Sequence, residues 1–142
     1  MSSDEPLFLD VEDVIELHAT QWEIYGGAAG LRDRGLLESA VAQPQCSFGG
    51  EFTHDGLFAM ASAYLFHIVS NHAFLDGNKR AGMLAALVFL DVNGITVNHS
   101  SEALYSLTMG LAEGSIDKSV VAAELKWIAK SKYDRLPPRP RG

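Results

Sequence analysis

Residues 71–80, NHAFLDGNKR, gather His72, Asp76, Asn78, Lys79 and Arg80 around Gly77, between two of the most apolar stretches of the chain. A glycine at position 77 permits a tight turn into a helix starting near Asn78, so that the unpaired amides of its first turn point back into the loop. Such an N-terminus favours a phosphate, by roughly 0.3–2 kcal/mol for a single charge. Lys79 and Arg80 stand at the wrong end of that helix for its dipole, which implies that a bound anion offsets the repulsion. A carboxylate beside phosphates, here Asp76, is how proteins hold Mg²⁺ with few ligands of their own. His72 brings an imidazole, the side chain best suited to accept a proton near neutral pH. A general base next to bound phosphates points to phosphoryl or nucleotidyl transfer. Phe74 reads as the anchor of the loop in the core. The remaining histidines, His18, His54, His67 and His99, form no i, i+3 or i, i+4 pair, so no zinc site is expected.

Two nearly all-apolar helices must position this loop. DGLFAMASAYLFHIVSNH precedes it and RAGMLAALVFLDVNG follows, the latter stopped by Asn93 and Gly94. Earlier, DVEDVIELHATQWEIYGG reads as an amphipathic helix with Asp10 as N-cap, Asp13 three residues on, and Val11, Val14, Ile15, His18 and Trp22 near one face, ending at Gly26 and Gly27. RDRGLLESAVAQP gives a shorter helix ended before Pro44, and SSEALYSLTMGLAEG and DKSVVAAELKWIAKSK give two more. Only GITVN and CSFGGEFTH have a strand-like pattern. Tyr25 and the glycines after it read as a turn, not a site. The 142 residues, 47% of them hydrophobic, make one domain with a single core and no internal repeat.

Charge narrows the partners. The net charge is −7, and residues 1–125 carry five basic groups against seventeen acids, while six of the basic groups fall in residues 126–142. An acidic body disfavours nucleic acid, which needs clustered cations on one face. The proline-rich end RLPPRPRG reads as an extended basic tail over residues 131–142. No apolar run is long enough for a membrane span and the acidic N-terminus is not a secretory signal, so a cytoplasmic protein is expected. The lone Cys46 forms no internal disulfide and reads as inert.

The string HAFLDGNKRAG resembles the signature of the Fic/Doc superfamily, H-x-F-x-[D/E]-[G/A]-N-[G/K]-R, in the lysine form of its death-on-curing (Doc) branch. YGGAAGLRDRGLLESAVAQPQCSFGG, LVFLDVNGITV and LAEGSIDKSVVAAELKWI are similar to further Doc segments, so that residues 1–130 would be the Fic/Doc domain. The resemblance implies an all-α, single-domain helical bundle with a small β-hairpin flap, QCSFGGEFTH, that aligns a target segment by strand addition. It further implies that His72 deprotonates a target hydroxyl, that Asp76 ligates Mg²⁺, and that Gly77, Asn78 and Lys79 form an anion hole with their amides, with Lys79 and Arg80 adding charge toward the phosphates of ATP. Typical Fic members transfer AMP to a protein hydroxyl. Doc-type members resemble kinases that phosphorylate a threonine of elongation factor Tu and arrest translation.

The AMP-transferring pattern continues G-N-G-R-x-x-R, whereas this chain has Lys79 for the glycine and Met83 for the second arginine. Methionine cannot hold outer phosphates, and losing such a contact removes roughly 1.5–3 kcal/mol from that nucleotide pose. Transfer of the γ-phosphate is therefore the favoured reading, with AMP transfer and a non-catalytic interaction module as alternatives. The inhibitory pattern [S/T]-x-x-x-E-[G/N] is not intact: Thr108 stands five residues before Glu113, not four. Inhibition in trans by a Phd-type antitoxin is the corresponding expectation.

Overall fold

The computed structural model describes residues 5–25, 30–97 and 101–129. Among them are six helices, α1 (Val11–Tyr25), α2 (Arg34–Ala42), α3 (Leu57–Asn71), α4 (Asn78–Val92), α5 (Ser101–Glu113) and α6 (Lys118–Ala129), and one two-stranded antiparallel sheet, β1 (Ser47–Phe48) and β2 (Glu51–Phe52). The protein is thus all-α with a small hairpin. The proposed ends of the first helix at Gly26 and Gly27, His99 and the tail 131–142 lie outside the described residues.

The helix that is apolar on nearly every side is the centre of the bundle, because burial on one face alone would leave half its side chains in water. α3 packs against α2, α4, α5 and α6. It buries Met60, Ala61, Ser62, Ala63, Tyr64, Leu65, Ile68 and Val69, and the two hydroxyls among them are satisfied: Ser62 donates to the Ala59 carbonyl at 2.7 Å and Tyr64 to the Leu9 carbonyl at 3.1 Å. α4 runs antiparallel to it: Tyr64 meets Phe89 at 5.1 Å between ring centroids, whereas Gly82 lies opposite Leu65 and Val69. Gly82 is what lets the two backbones approach, since a Cβ there would stand 3.0 Å from Val69 Cγ2 and 3.1 Å from the Leu65 carbonyl oxygen.

Local chemistry sets the ends of these elements. Asp10 and Asp13 each accept the other's backbone N–H at 2.9 Å, a reciprocal cap that starts α1. Asp33 caps α2 by accepting the Leu36 N–H at 3.0 Å. α2 passes into a single 3₁₀ turn that buries Pro44, rather than stopping outright. At the end of α4, Gly94 (φ +94°) allows Ile95 to donate back to the Leu90 carbonyl, and the Asn93 side chain binds both backbone groups of Leu7. The strand expected at GITVN does not form over residues 94–97. Its β-branched residues serve a different end: Ile95 and Val97 pack on the core from an unpaired turn. The hairpin at 47–52 does form. Gly49 (φ +62°) and Gly50 (φ +86°) make the two-residue turn, in which positive φ at both positions matches the twist of the strands.

Candidate active site

His72 closes α3 in the left-handed conformation (φ +49°, ψ +48°), the only described residue besides glycine with positive φ. For a side chain with a Cβ this costs about 1–3 kcal/mol, and it persists only where the surroundings hold it. Arg32 does so: its Nε donates to the His72 carbonyl at 2.9 Å, and one terminal nitrogen donates to the same oxygen. The segment before α2 clamps the next residues through their main chain. Arg32 and Asp33 N–H donate to the Ala73 carbonyl at 2.7 and 3.0 Å, and Leu75 N–H donates to Gly30 at 3.1 Å. Two side chains complete the pinning. Asn78 accepts the Phe74 N–H and donates to the Phe74 carbonyl, both at 3.0 Å. His18, on α1 and only 5% exposed, stacks on Phe74 with ring centroids 3.8 Å apart and donates from Nε2 to the Asp76 carbonyl at 2.7 Å. Phe74 itself is buried, as its anchoring role requires.

Gly77 (φ +79°) is the N-cap of α4 and offers no side-chain cap, so the amides of Asn78 and Lys79 begin the helix without an intrahelical acceptor. The first helical bond is Ala81 N–H to the Gly77 carbonyl, 2.9 Å. The expected anion hole differs here in one particular. The Gly77 N–H is taken by Asp76 Oδ1 at 2.7 Å, so it faces an anion only once that carboxylate turns away. His72 and Lys79 line one cleft of about 250 Å³ with Val69, Ser70, Met109, Ala112 and Glu113, the last three from α5. His72, Asp76, Lys79 and Arg80 are all exposed.

The donor set bears on magnesium. Among the described residues no three His, Cys, Asp or Glu side chains converge on one point, so no all-protein cage exists there. Mg²⁺ does not need one, since it is commonly held by one or two carboxylates together with substrate phosphates. Asp76, exposed at the mouth of the α4 N-terminus with one oxygen not engaged by Gly77, fits that mode. A polyphosphate at the α4 amides would meet Lys79 within the same cleft as the His72 imidazole.

Three features here were not legible from spacing. Arg32 and His18 reach the loop from 40 and 58 residues away, and Glu113 enters the cleft from the end of α5. Thr108, by contrast, is turned inward, buried and bonded to the Leu104 carbonyl at 3.0 Å. Asn71 is structural, donating to the Leu36 carbonyl, whereas Ser70 lines the cleft. Away from the site, Lys118 on α6 donates to Nε2 of both His54 and His67, at 3.2 and 3.1 Å. Burial, then the Lys118 charge, lowers both imidazoles, that of His67 to about 4. The Cys46 Sγ lies 3.5 Å from the Ala42 carbonyl oxygen. No helix among the described residues is long and apolar enough to cross a membrane.

Comparison with known proteins bears on this architecture. A model of the Fic/DOC family matches residues 8–90, a span that contains α1, the clamping segment, the hairpin and the whole loop from His72 to Arg80. The chain is 36% identical over 124 residues to Toxin Doc of Mycolicibacterium smegmatis, covering 86% of this chain and 93% of that one. It is 38% identical over 115 residues to Protein kinase doc of Escherichia phage P1, covering 81% and 90% respectively. With the motif held at the α3–α4 junction and the likeness running through the elements that clamp it, this chain belongs to the Fic/DOC family.

Proposed function

We propose that the chain is a Doc-type toxin that transfers the γ-phosphate of ATP to a protein hydroxyl, with a threonine of elongation factor Tu as the target and translation arrest in the cytoplasm as the consequence. The observation that carries the reading is the shared cleft: the His72 imidazole and Lys79 face the same space at the head of α4, whose first amides are uncapped. His72 takes the proton of the target hydroxyl as its oxygen bonds to the γ-phosphorus, and the bond from that phosphorus to the β-bridging oxygen breaks to release ADP. The amides of Asn78 and Lys79, with the Lys79 and Arg80 charges, stabilise the phosphate oxygens. Asp76 would hold Mg²⁺, which when bound neutralises phosphate charge. The name of one relative, a protein kinase, favours the same reaction, and that of the other, a toxin, favours the same role.

Met83 supports phosphoryl over AMP transfer. It lies partly buried against the core, one turn into α4, where an arginine would be needed to grip outer phosphates. The hairpin suits a strand-adding flap: Phe48 at its tip is 87% exposed, and the pairing ends after two residues on each strand. A Phd-type antitoxin acting in trans is part of the proposal, since Thr108 spends its hydroxyl inside α5 and an intact inhibitory motif is missing. Toxicity on expression alone, relieved by co-expressing the neighbouring small reading frame, is the expected result.

The decisive experiment is label transfer. Wild type and His72→Ala are each incubated with Mg²⁺, a bacterial lysate and ATP labelled at either the α or the γ phosphate. Label entering one band from γ only, and lost in the variant, is expected. Label from α makes the protein an AMP transferase, and label from neither leaves a binding module.

A further inference from the structure

We infer that His18 is a positioning residue for the phosphate site, acting through the peptide plane between Asp76 and Gly77. The inference rests on the proposed nucleotide site for its consequence, but its geometry stands independently. His18 comes from α1, outside the HAFLDGNKR motif, and its ring lies almost parallel to Phe74, at 8° and 3.8 Å, which leaves it little freedom to turn. In that pose Nε2 is 2.7 Å from the Asp76 carbonyl oxygen. A carbonyl only accepts, so Nε2 carries the hydrogen.

The peptide bond is planar and trans, so its C=O and N–H point in opposite directions. Holding the Asp76 carbonyl inward on His18 therefore turns the Gly77 N–H outward, where Asp76 Oδ1 receives it at 2.7 Å. One inner hydrogen bond thus sets both the direction of the Gly77 amide and the seat of the Asp76 carboxylate. Glycine at 77 is needed for the approach: it has φ +79°, and a Cβ would stand 3.3 Å from His18 Nε2. Without the donor, the Asp76 carbonyl loses its hydrogen bond to His18, and the plane can rotate more easily because glycine tolerates both orientations. The site would then lose the fixed outward direction of the Gly77 amide and, with it, the seat of the Asp76 carboxylate.

Two variants separate the parts of this role. His18→Phe keeps a ring to stack on Phe74 and removes the donor; His18→Gln restores a nitrogen donor at the same bond distance from Cα and removes the stack. The first readout is independent of activity: the amide resonance of Gly77 and its hydrogen exchange by NMR, with thermal melts to establish that each variant is folded. The second is the Mg²⁺ concentration at half-maximal binding of a non-hydrolysable ATP analogue. His18→Phe is expected to shift the Gly77 resonance, speed its exchange and raise the Mg²⁺ requirement about five- to tenfold, the loss that one buried hydrogen bond carries. His18→Gln recovers most of both. A Gly77 amide unchanged in His18→Phe, or Gln as impaired as Phe, overturns the inference. The wild-type protein provides a check that needs no variant, because a long-range ¹H–¹⁵N spectrum reports the tautomer, and a neutral His18 protonated at Nδ1 alone refutes it. If wild type binds no nucleotide, the proposed function falls while the Gly77 readout still decides the role of His18.

Discussion

Asn78 has two possible roles, through its backbone amide alone or through its side chain, and Asn78→Ala separates them. The carboxamide makes two hydrogen bonds to the main chain of Phe74, each 3.0 Å and partly buried. At about 0.5–1.5 kcal/mol net for each, their removal costs about 1–3 kcal/mol. For a domain of this size a loss of about 1–3 kcal/mol corresponds to a fall in Tm of about 3–12 °C. Urea melts give the free energy directly, and Asn78→Asp serves as a control that keeps the acceptor for the Phe74 N–H but sets a carboxylate against the Phe74 carbonyl. Phosphoryl transfer should fall with stability in both, because the loop that carries His72 and Asp76 loses its inner tie. If Asn78→Ala melts within about 0.5 kcal/mol of wild type, the range of an ordinary surface change, and transfers label normally, the side chain is not a clamp and the reasoning fails.

Stability should fall as pH drops from about 6.5 toward about 4, because His67 in the folded chain is held down to about 4 by burial, Lys118 and His54. The unfolded chain takes up that proton below about 6.5, so the folded state is favoured above this window and loses the advantage through it; urea midpoints against pH should show the slope, and His67→Phe should flatten it. Gly82→Ala should destabilise by up to about 2 kcal/mol, since overpacking of about 1–3 kcal/mol is set against a helix-propensity gain of about 1 kcal/mol. The new methyl would meet the Leu65 carbonyl oxygen at 3.1 Å, and a backbone atom cannot step aside cheaply; a more stable variant would show that α3 and α4 have room to part.

Much was determined by the sequence alone. Apolar periodicity marked the helices and the all-apolar character of residues 57–71 marked the central one, because each depends on contacts between near neighbours or on a simple excess of apolar surface; the hairpin was expected from the strand-like pattern of CSFGGEFTH and its resemblance to the Doc flap. The grouping of residues 72–80 was legible for the same reason: imidazole, carboxylate, glycine and cations lie within one loop and one helical turn. GITVN misled because β-branched residues suit any extended backbone, and whether a strand forms depends on a partner elsewhere. The tertiary structure alone decided what holds the loop in shape. His18 on Asp76, Arg32 on His72 and the Gly30–Asp33 segment on residues 73–75 all come from 40 or more residues away. Asn78 proved to be a clamp by its side chain, and the Gly77 amide proved to be engaged by Asp76. Such contacts leave no periodic trace, because a backbone carbonyl accepts a hydrogen bond from any donor that the packing of the helices brings within reach, whatever the spacing along the chain.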